Sequence, residues 1–324
     1  MNRTGQVSRP PAVTRRVDVG DGHRLHVEQI GAADGVAALF LHGGPGSGCQ
    51  PDHHRLFDPA RFRAVFVDQR GAGRSLPKRG LHANTTQHLV ADLELVRRAF
   101  NIDKWLVVGG SWGALLALAY AQRHPERVTG LVLRAVFFGG AEDVDWAFRR
   151  GPQTLYPDLW RAFVGPLPKH ERNDPIPAYG ARLMSPDPAV HVPAARLWHD
   201  YEQTLSVLKP RSLELPRSLE DAYRTTSRTP DTPFMEWHYL RHGCFLKEGE
   251  LLARAGRLAG IPGIIVQGRY DLLCPPKGAE ALAQRWPDAE LRMVEGAGHS
   301  PSEPGVRDAV VRAIDDLAAR TAGP

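Results

Sequence analysis

A strand, a glycine-rich turn and a helix follow one another without a break in residues 105–123. Trp105–Val108 (WLVV) has the composition of a buried strand, and Ala114–Arg123 has the pattern of an apolar helix. The turn between them reads GGSWG, with glycines two positions before and after Ser111. A sharp turn of this kind exposes a serine hydroxyl above a sheet, at the N-terminus of the next helix. The segment therefore predicts a nucleophilic serine; an incidental serine in a glycine-rich turn is the alternative.

Short apolar runs alternate with helical patterns on both sides of this turn, which indicates a mostly parallel sheet flanked by helices. Further strands are predicted at Val36–Leu41, Phe62–Val67, Thr129–Leu133, Ile261–Gln267 and Leu291–Val294. Further helices are predicted at Thr86–Phe100, Lys277–Trp286 and Val306–Arg320.

The alternation stops between about Gly139 and about Gly256, where the sequence is rich in Trp, Arg and Pro and shows no convincing strand. Short helices are predicted there at Trp146–Arg150, Pro157–Val164, Ala194–Leu208, Leu219–Thr225 and Phe234–His242. We expect one α/β domain, residues 1–138 and 257–324, interrupted by a helical cap domain, residues 139–256, inserted after the sixth strand.

The segment His42–Gly46 (HGGPG) follows an earlier strand and is a candidate oxyanion hole. Glycines let backbone N–H groups approach a ligand without obstruction by side chains. Such a hole needs two donors. One is expected from the N–H of Trp112, the residue after the nucleophile, and the other from Gly44, with Gly43 as the alternative.

An acid and a base follow the last two predicted strands. Asp271 ends GRYD (268–271), and His299 stands in GAGHS (296–300). The chain order Ser, Asp, His is the order of serine hydrolases with a strand–turn–helix nucleophile. His299 would accept the proton of Ser111, and Asp271 would orient the imidazole.

Three other acids also follow predicted strands. Asp68 precedes Ser111 in the chain, and we interpret it as a structural turn residue. Glu142 and Asp143 lie just after the strand TGLVL and remain alternative acids to Asp271.

Composition excludes several classes of protein. The net charge of +5 is spread over 324 residues without a run of five basic residues, so no nucleic-acid partner is expected. Three cysteines form no disulfide framework and no metal-ligand pattern, which favours a reducing compartment. The N-terminus has no apolar signal region, and the most apolar stretch, residues 105–121, is interrupted by glycines. We expect a cytoplasmic enzyme with no membrane partner, metal or organic cofactor.

The motifs together resemble the proline iminopeptidases (prolyl aminopeptidases), serine peptidases of the α/β-hydrolase superfamily. The resemblance spans about His42 to about Pro304. It rests on HGGPG (42–46), HHRLFDP (53–59), DQRGAGRS (68–75), NTT (84–86), HLVADLE (88–94), GGSWG (109–113), LALAYAQRHPERV (116–128), AARLWHDYE (194–202), MEWHY (235–239), GRYD (268–271), CPP (274–276) and VEGAGHS (294–300).

The resemblance implies an α/β-hydrolase fold and release of N-terminal proline from short peptides with a free N-terminus. It also implies that cap glutamates, Glu202 and Glu236 by motif, bind the free amine. It also implies an apolar pocket for the pyrrolidine ring, for which Phe137 and Phe148 are candidates, with core packing as the alternative. Cys274 is expected near the site without a direct catalytic role.

The sequence departs from the family pattern at Ala72, Ala135, Ala147 and Trp237, none of which belongs to the triad. The departures in the cap leave the strictness of the proline preference open. The alternatives are an amidase or esterase, or an aminopeptidase, acting on another small amine-bearing acyl group, and a non-catalytic binding protein with the same fold. The oligomeric state does not follow from the sequence, which is compatible with a monomer.

Overall fold

A mixed sheet of eight strands forms the centre of the computed structural model, which describes residues 13–225 and 229–321. In chain order the strands are β1 (Val13–Asp18), β2 (Arg24–Gly31), β3 (Val36–Leu41), β4 (Phe62–Asp68), β5 (Trp105–Ser111), β6 (Val128–Val136), β7 (Gly263–Gly268) and β8 (Ala289–Val294). Their order across the sheet is β1-β2-β4-β3-β5-β6-β7-β8. β2 runs antiparallel to both of its neighbours, and the pairs from β4 to β8 are parallel.

The mostly parallel sheet predicted from the apolar runs is confirmed, with small shifts at the strand ends. β1 and β2 are additional strands that the hydrophobic pattern did not reveal. Five of the six residues of β1 are exposed, so this edge strand lacks the continuous apolar run of a buried parallel strand. Backbone pairing with β2, from Val13 opposite Gln29 to Asp18 opposite Arg24, holds it in place.

Helices cover the sheet and fill the connection between β6 and β7. In chain order they are α1 (Thr86–Ala99), α2 (Trp112–Arg123), α3 (Ala141–Asp145), α4 (Gly151–Leu155), α5 (Pro157–Val164), α6 (Pro175–Leu183), α7 (Pro188–Leu205), α8 (Leu219–Thr225), α9 (Thr232–Leu240), α10 (Glu250–Ala253), α11 (Pro276–Arg285) and α12 (Val306–Thr321). A π-helical turn, Trp146–Arg150, joins α3 to α4.

Two apolar clusters lie on the two faces of the sheet. Leu39 and Leu41 of β3 point into the cluster that includes residues of α1, α2 and α11. Ala38 and Phe40 point into the cluster that includes residues of α12. This alternation along one strand follows from the two-residue period of β structure. Both faces of the central strands are therefore buried.

Between β6 and β7 the described residues form helices and no strand, in agreement with the change of pattern in the sequence. α7 begins at Pro188, six residues before the predicted helix, because Asp187 caps it and accepts the N–H of Ala189 at 2.8 Å. It also ends earlier, at Leu205. α6 was not predicted.

The helices of this segment share an apolar cluster of their own. Phe163 of α5 lies between Tyr179 of α6 and Tyr201 of α7, with ring centroids 4.6 and 3.9 Å away and interplanar angles of 7°. A Cβ at Gly180 would lie 1.6 Å from the indole nitrogen of Trp237, so the glycine makes room for that ring. The segment thus contains a packed core in addition to its contacts with the sheet.

Among the described residues, no helix is both long and apolar enough to cross a membrane. The same part of the chain contains no group of three or more His, Cys, Asp or Glu side chains that could hold a metal ion.

We expect Phe163→Ala to lower the free energy of unfolding by about 3–5 kcal/mol, because it removes the ring at the centre of the stack and leaves a cavity. Chemical denaturation monitored by circular dichroism measures this value. The matched control is Arg161→Ala on the same helix, an exposed position where the change is expected to stay within about 0.5 kcal/mol. Equal effects of the two substitutions would contradict a core role for Phe163.

Candidate active site

The turn between β5 and α2 holds Ser111 in a strained backbone conformation, with φ 57° and ψ −123°. A Cβ at Gly109 would lie 2.2 Å from the carbonyl oxygen of Gly113, and a Cβ at Gly113 would lie 2.2 Å from that of Leu41. Larger residues at either position would push the turn apart. The glycines therefore permit the sharp turn that the sequence predicted.

Asp271 and His299 meet in the loops after β7 and β8. Nδ1 of His299 lies 2.9 and 3.0 Å from the two carboxylate oxygens of Asp271. The carboxylate is buried and accepts the N–H groups of Leu273 at 3.0 Å and Cys274 at 2.8 Å. This arrangement keeps a proton on Nδ1, so that Nε2 is free to act as a base.

The acid and base loops pack tightly against each other. A Cβ at Gly268, which begins the acid loop, would lie 2.1 Å from the carbonyl oxygen of Gly298 in the base loop. The buried amide of Gln267 donates to Cys274 O at 2.9 Å and lies 3.4 Å from Asp271 Oδ2. The glycine and the amide thus stabilise the position of the Asp271 carboxylate.

Ser111 and His299 line one cavity of about 490 Å³ at the carboxyl ends of the parallel strands. The cavity is covered by residues of the helical segment, and the Ser111 hydroxyl lies beside the Cys274 thiol. The three segments that carry the predicted triad thus converge on one site. Cys274 lines the cavity, as the family resemblance implied.

The loop His42–Gly46 forms the wall of the cavity next to the nucleophile. Gly43 and Gly44 both line the cavity. A Cβ at Gly43 would lie 3.7 Å from Cβ of Ser111 and 3.2 Å from the carbonyl oxygen of Gly110. Trp112, the other expected donor, is the first residue of α2 and is fully buried.

The alternative acids have partners of their own. Glu142 pairs with Lys277 at 2.9 Å, and Asp143 accepts the N–H of Phe138 at 3.1 Å. Asp68 is buried and accepts the N–H of Cys49 at 2.7 Å and that of Arg74 at 2.9 Å. Asp68 thus links two loops, in keeping with a structural turn residue, and Asp271 is the acid beside His299.

Glu202 of α7 and Glu236 of α9 lie side by side in the roof of the cavity. Burial raises the pKa of Glu236 to about 7. Burial and the nearby charge of Glu236 also raise the pKa of Glu202. The buried Oε2 of Glu236 accepts no hydrogen bond from the described residues, although the indole of Trp198 lies beside both carboxyl groups and lowers the pKa of each. No described Lys or Arg pairs with either glutamate, so the pair is short of positive charge.

Phe137 and Phe148 line the same cavity. Phe148 is buried and packs on Trp198 with ring centroids 5.1 Å apart. Sequence reasoning did not single out several further lining residues. They share a helix face with one of the glutamates, which is the signal that could have revealed them: His199 and Ser206 beside Glu202, and Leu240 beside Glu236.

Trp237, which departs from the family pattern, packs against Gly180 and beneath Arg241, whose guanidinium carbon lies 4.4 Å from the ring centroid. Ala147, another departure, lines the cavity. An aromatic residue at position 147 would occupy part of the space that the alanine leaves open.

Comparisons with known proteins agree with this geometry. Residues 38–306 match the family model described as the alpha/beta hydrolase fold. A proline iminopeptidase from Xylella fastidiosa is 43% identical over 304 residues, covering 92% of this chain and 94% of the relative. One from Arabidopsis thaliana is 41% identical over 311 residues, covering 95% of this chain and 80% of the relative.

Among solved structures, a proline iminopeptidase from Mycobacterium smegmatis has a TM-score of 0.59 at 20% identity and covers 95% of this chain and 99% of its own. That likeness supports the fold. The sequence relatives extend over nearly the whole chain at more than 40% identity. The chain therefore belongs to the proline iminopeptidase family of α/β hydrolases.

Proposed function

We propose that the protein is a serine exopeptidase that releases an N-terminal proline from short peptides. The observation that carries this proposal is the pair of Glu236, which is buried, and Glu202, which is partly buried, in the same cavity as Ser111 and the His299 that Asp271 orients. A cationic amine would supply the positive charge that two neighbouring carboxyl groups need. The names of the sequence relatives support proline as the residue that carries this amine.

In the proposed reaction, Ser111 Oγ attacks the carbonyl carbon of the N-terminal residue while His299 Nε2 takes the hydroxyl proton. Asp271 stabilises the imidazolium that forms. The N–H groups of Gly44, or Gly43, and Trp112 would bind the oxyanion of the tetrahedral intermediate. His299 then gives its proton to the leaving nitrogen as the C–N bond breaks.

Water completes the cycle in a second step. His299 accepts a proton from water, whose oxygen attacks the carbonyl carbon of the prolyl ester on Ser111. His299 then returns this proton to Ser111 Oγ as the ester bond breaks and free proline leaves. The residues required for both steps belong to this chain.

We propose that residues 139–256 act as a cap domain that measures the distance from the free amine to the scissile bond. A longer or acylated N-terminus would leave the buried carboxylates without a cation, which is unfavourable. Phe137 and Phe148 are proposed to bind the pyrrolidine ring, because both line the cavity. Substrates are then peptides with a free N-terminal proline.

A panel of Pro, Ala and Leu anilides, each with a free and an acetylated amine, tests the substrate assignment. We expect the highest kcat/KM for Pro-anilide and a loss of at least about 10²-fold on acetylation, since the glutamates lose their partner. Higher kcat/KM for Ala or Leu would instead support the alternative of an aminopeptidase or amidase for another small amine-bearing acyl group.

Ser111→Ala should lower turnover of Pro-anilide by about 10⁴-fold or more. A fluorophosphonate probe should label the wild-type protein at Ser111 and leave the variant unlabelled, as read by mass spectrometry of the peptide that contains the turn. Absence of an adduct on the wild-type serine would favour a binding protein that retains the fold.

Glu202→Gln should lower kcat/KM for Pro-anilide by about 10- to 100-fold, corresponding to about 1.5–3 kcal/mol for a hydrogen bond to a charged group. The matched control is Glu220→Gln, an exposed glutamate of the same helical segment paired with Arg224, which should leave kcat/KM unchanged. Normal cleavage by the Glu202 variant would show that the amine binds elsewhere.

The raised pKa values of the glutamate pair predict a pH dependence of binding. Because the pKa of Glu236 is raised to about 7, a cationic amine must displace a proton below that pH. The Kd of prolinamide for the Ser111→Ala variant should therefore fall as pH rises from about 6 to about 8, by up to about tenfold per unit. Calorimetry measures it, and a Kd that is constant over this range would contradict amine binding by a protonated pair.

A further inference from the structure

The imidazole of His42 determines how the peptide group before Gly44 is oriented. The backbone N–H of Gln69 donates to His42 Nε2 at 3.1 Å, so the ring carries its proton on Nδ1. Nδ1 in turn donates to the carbonyl oxygen of Gly43 at 2.9 Å. Burial lowers the pKa of His42, which keeps the ring neutral and this pattern intact.

The Gly43 carbonyl and the Gly44 N–H belong to one trans peptide group, so they point in opposite directions. A carbonyl turned toward the His42 ring therefore turns the Gly44 N–H away from that ring. The N–H of Ser47 also donates to the Gly43 oxygen, at 3.4 Å, which opposes rotation of the peptide. The hydrogen bonds to the Gly43 carbonyl thus fix the direction of one candidate donor of the oxyanion hole, the N–H of Gly44.

The side chain of Gln69 connects the loop that contains His42 to the start of α2 at Trp112. Its Nε2 donates to the carbonyl oxygen of His42 at 3.1 Å, and its Oε1 accepts the indole N–H of Trp112 at 2.7 Å. All three residues are 3% exposed or less. Trp112 carries the second candidate donor on its own backbone. A single buried amide therefore joins the two chain segments that carry the two donors.

We propose that Gln69 is a positioning residue that sets the separation and orientation of the two oxyanion donors through His42 on one side and Trp112 on the other. The inference rests on the proposed function, because it assumes that the Gly44 and Trp112 N–H groups bind an oxyanion. Gln69 itself touches neither the substrate nor the reacting atoms in this scheme.

The test compares ligands that do and do not place an oxygen in the hole. Methionine has the length of glutamine without its hydrogen bonds, so Gln69→Met removes both side-chain links. We expect kcat for Pro-anilide to fall about 10- to 100-fold with little change in KM. The Ki of prolinal, whose carbonyl adds to Ser111 to form a hemiacetal, should rise by a similar factor.

Pyrrolidine is the reference ligand, since it carries the same amine and ring but has no carbonyl or carboxylate oxygen. Its Ki should stay within about twofold of the wild-type value in Gln69→Met. An unchanged kcat and an unchanged prolinal Ki would overturn the proposal. Parallel increases in the Ki of prolinal and of pyrrolidine would also overturn it, because they would indicate a general distortion of the cavity.

Gln122→Met is the matched control, because Gln122 is a buried glutamine whose amide donates to Leu251 O at 2.7 Å in another part of the fold. It should lower the melting temperature as Gln69→Met does and leave kcat and both Ki values unchanged. A fall in kcat of the same size in the control would mean that lost stability, rather than donor position, explains the effect.

Trp112→Phe gives a second route, in case Gln69→Met does not fold. It removes the indole N–H that reaches Gln69 and keeps the backbone N–H of residue 112. We expect a smaller rise in the prolinal Ki at constant pyrrolidine Ki. Where Gln69→Met folds, the double variant should also show an effect below the product of the two single effects. No change for prolinal, or fully multiplicative effects, would argue against coupling through Gln69. Wild-type cleavage of Pro-anilide and labelling of Ser111 test the proposed function separately.

Discussion

The strained backbone of Ser111 is the constraint on which the rest of the site depends. A non-glycine residue with this combination of φ and ψ persists only when the surroundings hold it there. Here the glycines on either side allow β5, α2 and the end of β3 to approach each other within van der Waals contact. The hydroxyl therefore projects from the edge of the sheet where all the parallel strands end, and the loops after β3, β7 and β8 reach the same edge.

Two buried glutamine side chains fix the positions of those loops. Gln69 ties the loop after β3 to the first residue of α2, and Gln267 ties the end of β7 to the loop that carries Asp271. A buried amide that loses its partners destabilises a protein by about 1–3 kcal/mol, so each loop has a strong preference for the observed position. The site thus depends on polar groups in the core as much as on the groups that face the cavity.

The sheet and the helical segment contribute different chemistry. The loops of the sheet carry the candidate nucleophile, base, acid and oxyanion donors, whereas α7 and α9 carry the two glutamates. Bringing two carboxyl groups together in a buried place is unfavourable unless they share a proton or bind a cation, and the pKa of Glu202, raised by burial and by the charge of Glu236, reflects that cost. Selectivity for a charged N-terminus would then arise from the roof of the cavity, independently of the bond-breaking groups below it.

Much of the fold and of the candidate triad could be predicted from the sequence. Continuous apolar runs marked the central strands, and the residues after them in GGSWG, GRYD and GAGHS were the ones that the structure brings to one edge. The apolar pattern did not predict β1, because the side chains of this strand are mostly exposed. The predicted start of α7 lay too far along the chain, because the helix begins at a cap formed by Asp187 rather than where the apolar spacing begins. The motif resemblance pointed to Glu202 and Glu236, although nothing in their local sequence distinguishes them from solvated helix residues.

The sequence by itself determined which residue types follow each strand, because strand and turn formation depend on neighbours along the chain. Only the tertiary structure decided that Glu202 and Glu236 lie side by side, that Gln69 bridges His42 and Trp112, and that Asp271 rather than Asp143 faces His299. These contacts join residues that are 27 to 43 positions apart along the chain. Their geometry depends on how separate elements pack, and no local pattern encodes it.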